Sequence, residues 1–355
     1  MFHRHPRHRK RRIVIAAVTT GLVGALASCS VGSTTAQPDD SDTADMGVYA
    51  DLYQEALDEG GVVTWYTAFI PDNMEVIEPA FEEQFPGVDM QALRLVGAEM
   101  PIRFRSEVEA GATSADIITT SETGFSKEAM ENGWTDEVAS FDLPTYADFP
   151  EEFVGDGQFV TQIAPVRVSY NAELVTDPPE TWQDLLEPEF KDQMMLVDPR
   201  SIVAWLAQYN LLYEEFGAEY LESLSAQDYR LVDSAIPASQ AMVAGEGLAV
   251  FPSLDSVANP MKAEGAPIEN TALAPYTGVQ NSTMISTKAE HPAAARLLAA
   301  WLMSEEGQTA VNAGFAASPL SGLDGVDSVG DGYVAYDEDA VNANRDAILG
   351  ALGIQ

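Results

Sequence analysis

From Tyr49 onward short apolar runs alternate with amphipathic segments, and that alternation restricts the folds open to the chain. Tyr49, Leu52, Tyr53, Ala56 and Leu57 share one helical face, closed by Gly60-Gly61. Val62-Val63-Thr64-Trp65-Tyr66 reads as a buried strand. A second helix is expected over Met74–Phe85, stopped by Pro86-Gly87, and Val88, Met90 and Ala92 then alternate with Asp89 and Gln91 as the next strand. Phe104 and Val108 mark a third helix closing near Gly111, and Ala115–Thr119 a third strand. Strands separated by helices of this length imply a mostly parallel sheet covered on both faces.

The pattern recurs further on. Val166–Tyr170, Met194–Val197, Tyr229–Val232, Leu248–Phe251 and Thr283–Ser286 read as strands. Helices are expected at Ile202–Phe216, Ala218–Leu224 and Pro292–Met303, the last ending near Gly307. Residues 320–335 are rich in Gly, Asp and Ser and read as loop, and Asp337–Leu352 as a closing helix. At 355 residues the chain exceeds one ordinary core, so two lobes are expected. An apolar fraction of 46% is enough to fill them.

Charge divides the chain differently. Arg4, Arg7, Arg9, Lys10, Arg11 and Arg12 crowd the first twelve positions, and no other charge precedes Cys29. Beyond residue 28 there remain 12 Lys+Arg against 56 Asp+Glu, a formal charge of −44. Such a body is unsuited to nucleic acid, which needs a positive surface. Ile13–Ala27 is apolar and uncharged, shorter than the ~20 residues of a membrane-spanning helix but suited to the core of an export signal. It ends in Leu26-Ala27-Ser28-Cys29, which resembles the bacterial lipobox. Residues 1–28 are therefore expected as a lipoprotein signal peptide and residues 29–47 as a flexible polar tether. Cys29 would carry the lipid that holds the protein at the outer face of the cell membrane. As the sole cysteine it excludes an intramolecular disulfide and any multi-cysteine zinc site.

The body resembles the extracellular solute-binding proteins of bacterial ABC importers, in the branch with ferric-iron-, thiamine- and phosphonate-binding members. The resemblance rests on Glu59-Gly60-Gly61-Val62-Val63-Thr64-Trp65-Tyr66-Thr67, Phe85-Pro86-Gly87-Val88, and Ser114-Ala115-Asp116-Ile117-Ile118. It continues through Ser169-Tyr170-Asn171, Pro179-Glu180-Thr181-Trp182, Asp198-Pro199-Arg200-Ser201 and Ala244-Gly245-Glu246. It ends with His291-Pro292-Ala293-Ala294-Ala295 and Leu302-Met303-Ser304-Glu305-Glu306-Gly307-Gln308. It implies a two-lobed α/β periplasmic-binding-protein-like fold of type II, with a hinge between the lobes and a solute in the cleft. The first lobe would comprise residues 48–163 with a return over 283–330, and the second residues 164–282. Residues 331–355 would form a C-terminal loop and helix. The implied partners are a small-molecule solute and the permease subunits of the importer, with the protein itself a monomer.

Ligands of open α/β sheets sit beyond the carboxyl ends of strands, near helix N-termini. Those positions nominate Tyr66, Thr67, Thr120, Ser121, Arg200, Ser201, Ser234, Phe251, Ser253 and Asp255. Each hydroxyl has a plainer alternative as a helix cap, worth about 1 kcal/mol. Tyr66 could equally be a core aromatic, and Asp198 an organiser of its own turn. With so few basic residues, Arg200 at a strand-to-helix junction suggests a solute with an anionic group, although it could simply pair with Asp198. Asp255 leaves room for a cationic solute.

Ferric-iron-binding members usually carry adjacent tyrosines where this chain reads Phe251-Pro252-Ser253-Leu254-Asp255-Ser256, so iron is the second reading. His291, the one histidine after residue 28, is expected as a helix cap, and no metal or cofactor is expected. No nucleophile elbow, phosphate loop or triad histidine supports an enzyme. A surface glycosidase using two carboxylates, or an adhesin, is the alternative of another class.

Overall fold

A computed structural model describes residues 46–354, apart from 123 and 156. Cys29 and the signal segment lie outside the described residues. The rest is a two-lobed α/β structure built on two mixed sheets.

Strands are numbered along the chain. The first sheet contains β1 (Val62–Thr67), β2 (Asp89–Arg94), β3 (Ile117–Thr120), β4 (Val154–Gly155), β5 (Gln158–Pro165), β11 (Gly278–Ile285), β12 (Ala317–Ser318) and β13 (Asp327–Ser328). Its order is β13–β12–β5–β11–β3–β1–β2, with β4 beside β5. The second sheet has the order β10–β6–β9–β7–β8, where β6 is Arg167–Asn171, β7 Met194–Val197, β8 Arg230–Val232, β9 Ala249–Ser253 and β10 Ile268–Thr271. Parallel pairing holds where helices connect the strands, in β2–β1–β3 and β8–β7–β9. The pairing turns antiparallel where β5, β6 and β11 pass between the sheets.

Each sheet is covered by helices, again numbered along the chain. In the first lobe these are α1 (Ala50–Asp58), α2 (Pro71–Gln84), α3 (Glu99–Glu109), α4 (Gly124–Glu131), α9 (Pro292–Leu302) and α10 (Glu305–Asn312). The second carries α5 (Val203–Phe216), α6 (Ala218–Ser225), α7 (Ala235–Val243) and α8 (Asp255–Ala263). The last helix, α11 (Glu338–Ala351), packs on α5 and α6, so the chain crosses to the second lobe again after β13.

The core of each lobe is aromatic. In the first, Phe81 meets Trp301 edge-on with ring centres 5.4 Å apart. In the second, Phe251 lies between Trp182 and Tyr209 at 4.9 and 5.2 Å. The strong apolar helix over 292–302 ends sooner than its hydrophobicity suggests. Ser304 starts a new helix, its Oγ accepting from the Gly307 amide at 3.1 Å. Gly307 therefore lies inside α10, where a Cβ would stand 1.9 Å from the Trp301 carbonyl oxygen. Close backbone approach, not helix termination, requires glycine there.

Two buried polar clusters fix the first sheet. Trp65 Nε1 donates to Thr119 Oγ1 at 2.9 Å, and Thr119 and Thr283 share a hydroxyl bond of 2.6 Å. Thr161 joins the same chain through Thr283, so β1, β3, β11 and β5 are stitched across the sheet. Asp116, fully buried, accepts from the backbone amides of Thr64 (2.9 Å), Glu290 (2.7 Å) and His291 (3.1 Å), and its Oδ2 lies 3.1 Å from His291 Nδ1. His291 is thus the ring that helps hold the start of α9 against β1 and β3. Replacing Asp116 by Ala would leave three backbone donors without their acceptor, at ~1–3 kcal/mol each. Asp116→Ala should lower unfolding stability by about 3 kcal/mol or more in urea titration, and a loss below about 1 kcal/mol would contradict this role.

Candidate functional site

Strand β3 ends at Thr120, whose Oγ1 accepts from the Glu122 amide at 3.1 Å. That bond shapes the turn carrying Ser121 and Glu122 toward the second lobe. Opposite, β7 runs out at Val197 into Asp198-Pro199-Arg200-Ser201 and then α5. Between these two strand ends lies a cleft of about 630 Å³. Ala98, Pro101, Ile102, Arg105, Ser121, Glu122, Phe125 and Glu128 line it from the first lobe, and Arg200, Ser201, Ile202, Val203 and Ala204 from the second. Val279 of β11 forms part of the lining, and Tyr336 and Glu338 contribute from the last crossing.

The second-lobe wall is organised by Asp198. Its carboxylate accepts from the Arg200 amide at 2.8 Å and from Arg200 Nε at 2.9 and 3.1 Å, with Nη2 at 2.6 Å. Hydrogen bonding from the Arg200 side chain holds the Asp198 carboxyl below its ordinary range. Ser201 Oγ donates to the Asp198 carbonyl at 2.7 Å and so does not cap the following helix. The residue before α5, Ile202, is extended, and no side chain caps the helix. Its first backbone N–H groups are the donors a helix leaves for outside partners. On the first-lobe wall Arg105 makes a two-pronged bond to Glu128, at 2.7 and 2.6 Å. Both arginines of the cleft are therefore matched by carboxylates, and Glu122 and Glu338 add further negative charge.

Of the ten positions expected to bind ligand, Ser121, Arg200 and Ser201 come together in this cleft. Asp255 lines a smaller hollow of about 180 Å³ with Arg167, Asn259, Phe315 and Asp327, where its carboxylate holds Arg167 Nε at 3.0 Å. The other six do not line the cleft. Tyr66 turns into the first lobe, where its hydroxyl donates to Glu107 at 2.9 Å and its ring carries the Arg103 guanidinium 5.2 Å above it. Burial and the Glu107 bond raise its pKa. Thr67 is fully buried, its Oγ1 accepting from the Phe69 amide, and Thr120 makes the turn described above. Phe251 is core, and Ser253 is buried with its Oγ bonded to Ser169 at 2.6 Å. Ser234 precedes α7 with no capping bond from its side chain. Arg105, Glu122, Phe125, Tyr336 and Glu338 enter the cleft without having been singled out by sequence. The scarcity of bases that drew attention to Arg200 applied equally to Arg105.

Among the described residues, no three of His, Cys, Asp and Glu gather as metal ligands, and no helix is long and apolar enough to cross a membrane.

A family profile for bacterial extracellular solute-binding proteins matches residues 112–336. The chain belongs to that family. Its members carry solutes and do not transform them. Solved structures share the fold at low identity. The substrate-binding protein of an ABC transporter from Agrobacterium tumefaciens superposes with a TM-score of 0.64 at 15% identity, covering 82% of this chain and 94% of that one. Iron-bound HitA from Pseudomonas aeruginosa gives 0.62 at 17%, covering 82% and 98%. AfuA from Actinobacillus pleuropneumoniae, with fructose-6-phosphate bound, gives 0.57 at 18%, covering 83% and 99%. No curated protein sequence matches the chain.

The pairing on the second-lobe wall has a titration signature. In Arg200→Ala the Asp198 pKa should rise toward the ordinary carboxylate value, measured by carboxyl carbon NMR. A depressed carboxylate stabilises the fold fully above its unfolded pKa, and that contribution is lost as pH falls through the depressed value. The wild type should therefore lose stability from this pair only below the ordinary carboxylate range, while the variant lacks the contribution at every pH. An Asp198 titration unmoved by the substitution would show that Arg200 is not the cause.

Proposed function

We propose that the protein is the membrane-anchored solute-capturing component of an ABC importer, and that it closes two lobes around a small polar organic solute bearing an anionic group. The first lobe would be residues 48–163 with 283–330, and the second 164–282. The observation that carries the reading is the uncapped N-terminus of α5, opening on the cleft beside Arg200 and Ser201. Backbone N–H groups aligned with a helix dipole, next to a guanidinium and a hydroxyl, suit a carboxylate, phosphonate or phosphate. Ser121 would add a hydroxyl from the opposite wall. The permease would receive the solute from the cleft, and lipid on Cys29 would keep the protein beside it.

Ferric iron finds less support in the residue types. Among the cleft-lining residues Tyr336 is the one tyrosine, and residues 251–256 hold none. Hard ferric iron favours several anionic oxygens at once, whereas the fructose-6-phosphate in the AfuA structure has the chemistry that α5 suits.

Native mass spectrometry of the freshly purified protein should reveal a co-purified organic anion. Val203→Pro separates the helix terminus from the rest of the site. Proline is accepted at the first helical position and removes one amide donor there. Affinity for that anion should fall about tenfold, and Arg200→Ala should lower it roughly ten- to hundredfold, with thermal unfolding little changed by Val203→Pro and lowered in Arg200→Ala only by the small contribution of a solvent-exposed pair. Undiminished binding in both variants would reject the anion reading. Cys29→Ala should move the protein from the membrane fraction to the soluble one, and retention after a salt wash would reject the anchor.

A further inference from the structure

The cleft has a second chemistry that its charged groups do not use. Ile102, on α3 of the first lobe, is 60% exposed, and Ile202, at the start of α5 in the second, is 41% exposed. Both are among the largest apolar side chains left in water by this fold, and both line the same cleft from opposite walls. Pro101, Phe125, Val203 and, from the crossing strand β11, Val279 line the same cleft. Two branched side chains left in water forgo the stabilisation that burial would give them. At positions facing a solute space, that gain is available to an apolar surface that covers them.

We propose that the solute is amphipathic, a small organic ion whose aliphatic or aromatic body is gripped between Ile102 and Ile202 while its charged end meets the α5 terminus. This rests on the anion reading above for the charged end only. The space between the walls, about 630 Å³, is ample for a drug-sized body and far larger than a bare ion needs. The arginine–carboxylate pairs at the two walls put charge beside the apolar patch, where one end of the solute is polar and the other is not. A hydrated ion or a bare phosphate would leave both isoleucines uncovered. On this assignment the isoleucines set specificity by the size of the body, since each methylene withdrawn from water is worth roughly three- to fourfold in affinity.

The test is an NMR shift titration of the full protein with a two-by-two set of probes, supplemented by inorganic phosphate. Acetate and 4-methylpentanoate share a carboxylate and differ in body; methylammonium and isopentylammonium repeat the difference on a cation. The expected result is that 4-methylpentanoate binds at least tenfold more tightly than acetate. Ile102→Ser and Ile202→Ala, the latter chosen because serine at that position would cap α5, should each remove most of that gain and leave acetate within about twofold of its wild-type affinity. Both side chains are exposed, and unchanged thermal unfolding confirms that each variant folds. A gain confined to the ammonium pair, and lost in the same variants, would uphold the apolar grip and reject the anion reading. Carboxylates and phosphate binding without any gain from the larger body would uphold the anion reading and overturn the grip. A gain that survives both variants, or no binding by any probe, would also overturn it.

Discussion

A line of buried hydroxyls carries the geometry of this molecule. Thr119, Thr161 and Thr283 sit on adjoining strands of the first sheet and are anchored to the Trp65 indole. Each is fully enclosed, so each must find its hydrogen bond inside the sheet or leave a polar group unsatisfied. A register slip in β5 or β11 would break the line at once. Those same two strands lead out of the first sheet toward the second, so the position of the second lobe follows from where they are pinned. The cleft inherits its width from threonines that do not touch it.

Asp116 complements this from just before β3. By binding amides at the start of β1 and before α9, it ties the returning chain to the first strands laid down. A lobe assembled from distant segments needs such ties, because most of its cohesion comes from contacts remote in sequence. The aromatic pair Phe81–Trp301 does the same work in apolar form.

The lobes themselves were legible because their helices and inner strands are strongly apolar. Met194–Val197 is a strand in both the sequence reading and the structure, and the helix over Val203–Phe216 differs by a single residue. The crossing strands were far harder to read. Gln158, Gln162, Gln280 and Asn281 interrupt any alternation in β5 and β11, and their partners come from far along the chain: Asn281 Nδ2 donates to Gln162 Oε1 at 2.9 Å. The candidate site was legible in its address but not in its occupants. Strand ends do point at the cleft, but both faces of these strands are covered, so apolarity says nothing of which way a terminal side chain turns. Tyr66 turned to Glu107 and Phe251 to Trp182, and the side chains that fill their place come from α3 and the last crossing, which carry no strand-end signature.

The salt pairs of the cleft have a consequence for where such a protein can operate. Arg200 is already clasped by Asp198, and Arg105 by Glu128. An anion of the kind proposed would therefore not meet a bare cation; it would take over part of a position held by a carboxylate of the protein. On that reading, capture would be an exchange of one ion pair for another. Dissolved ions weaken the pair that is lost and the pair that is gained to a similar degree, so their effects largely cancel. A chain with a body of such high negative charge would otherwise depend on its medium to hold any anion at all. Here the arginines arrive with their counter-charges built in, and on the anion reading affinity would be buffered against changes in salinity.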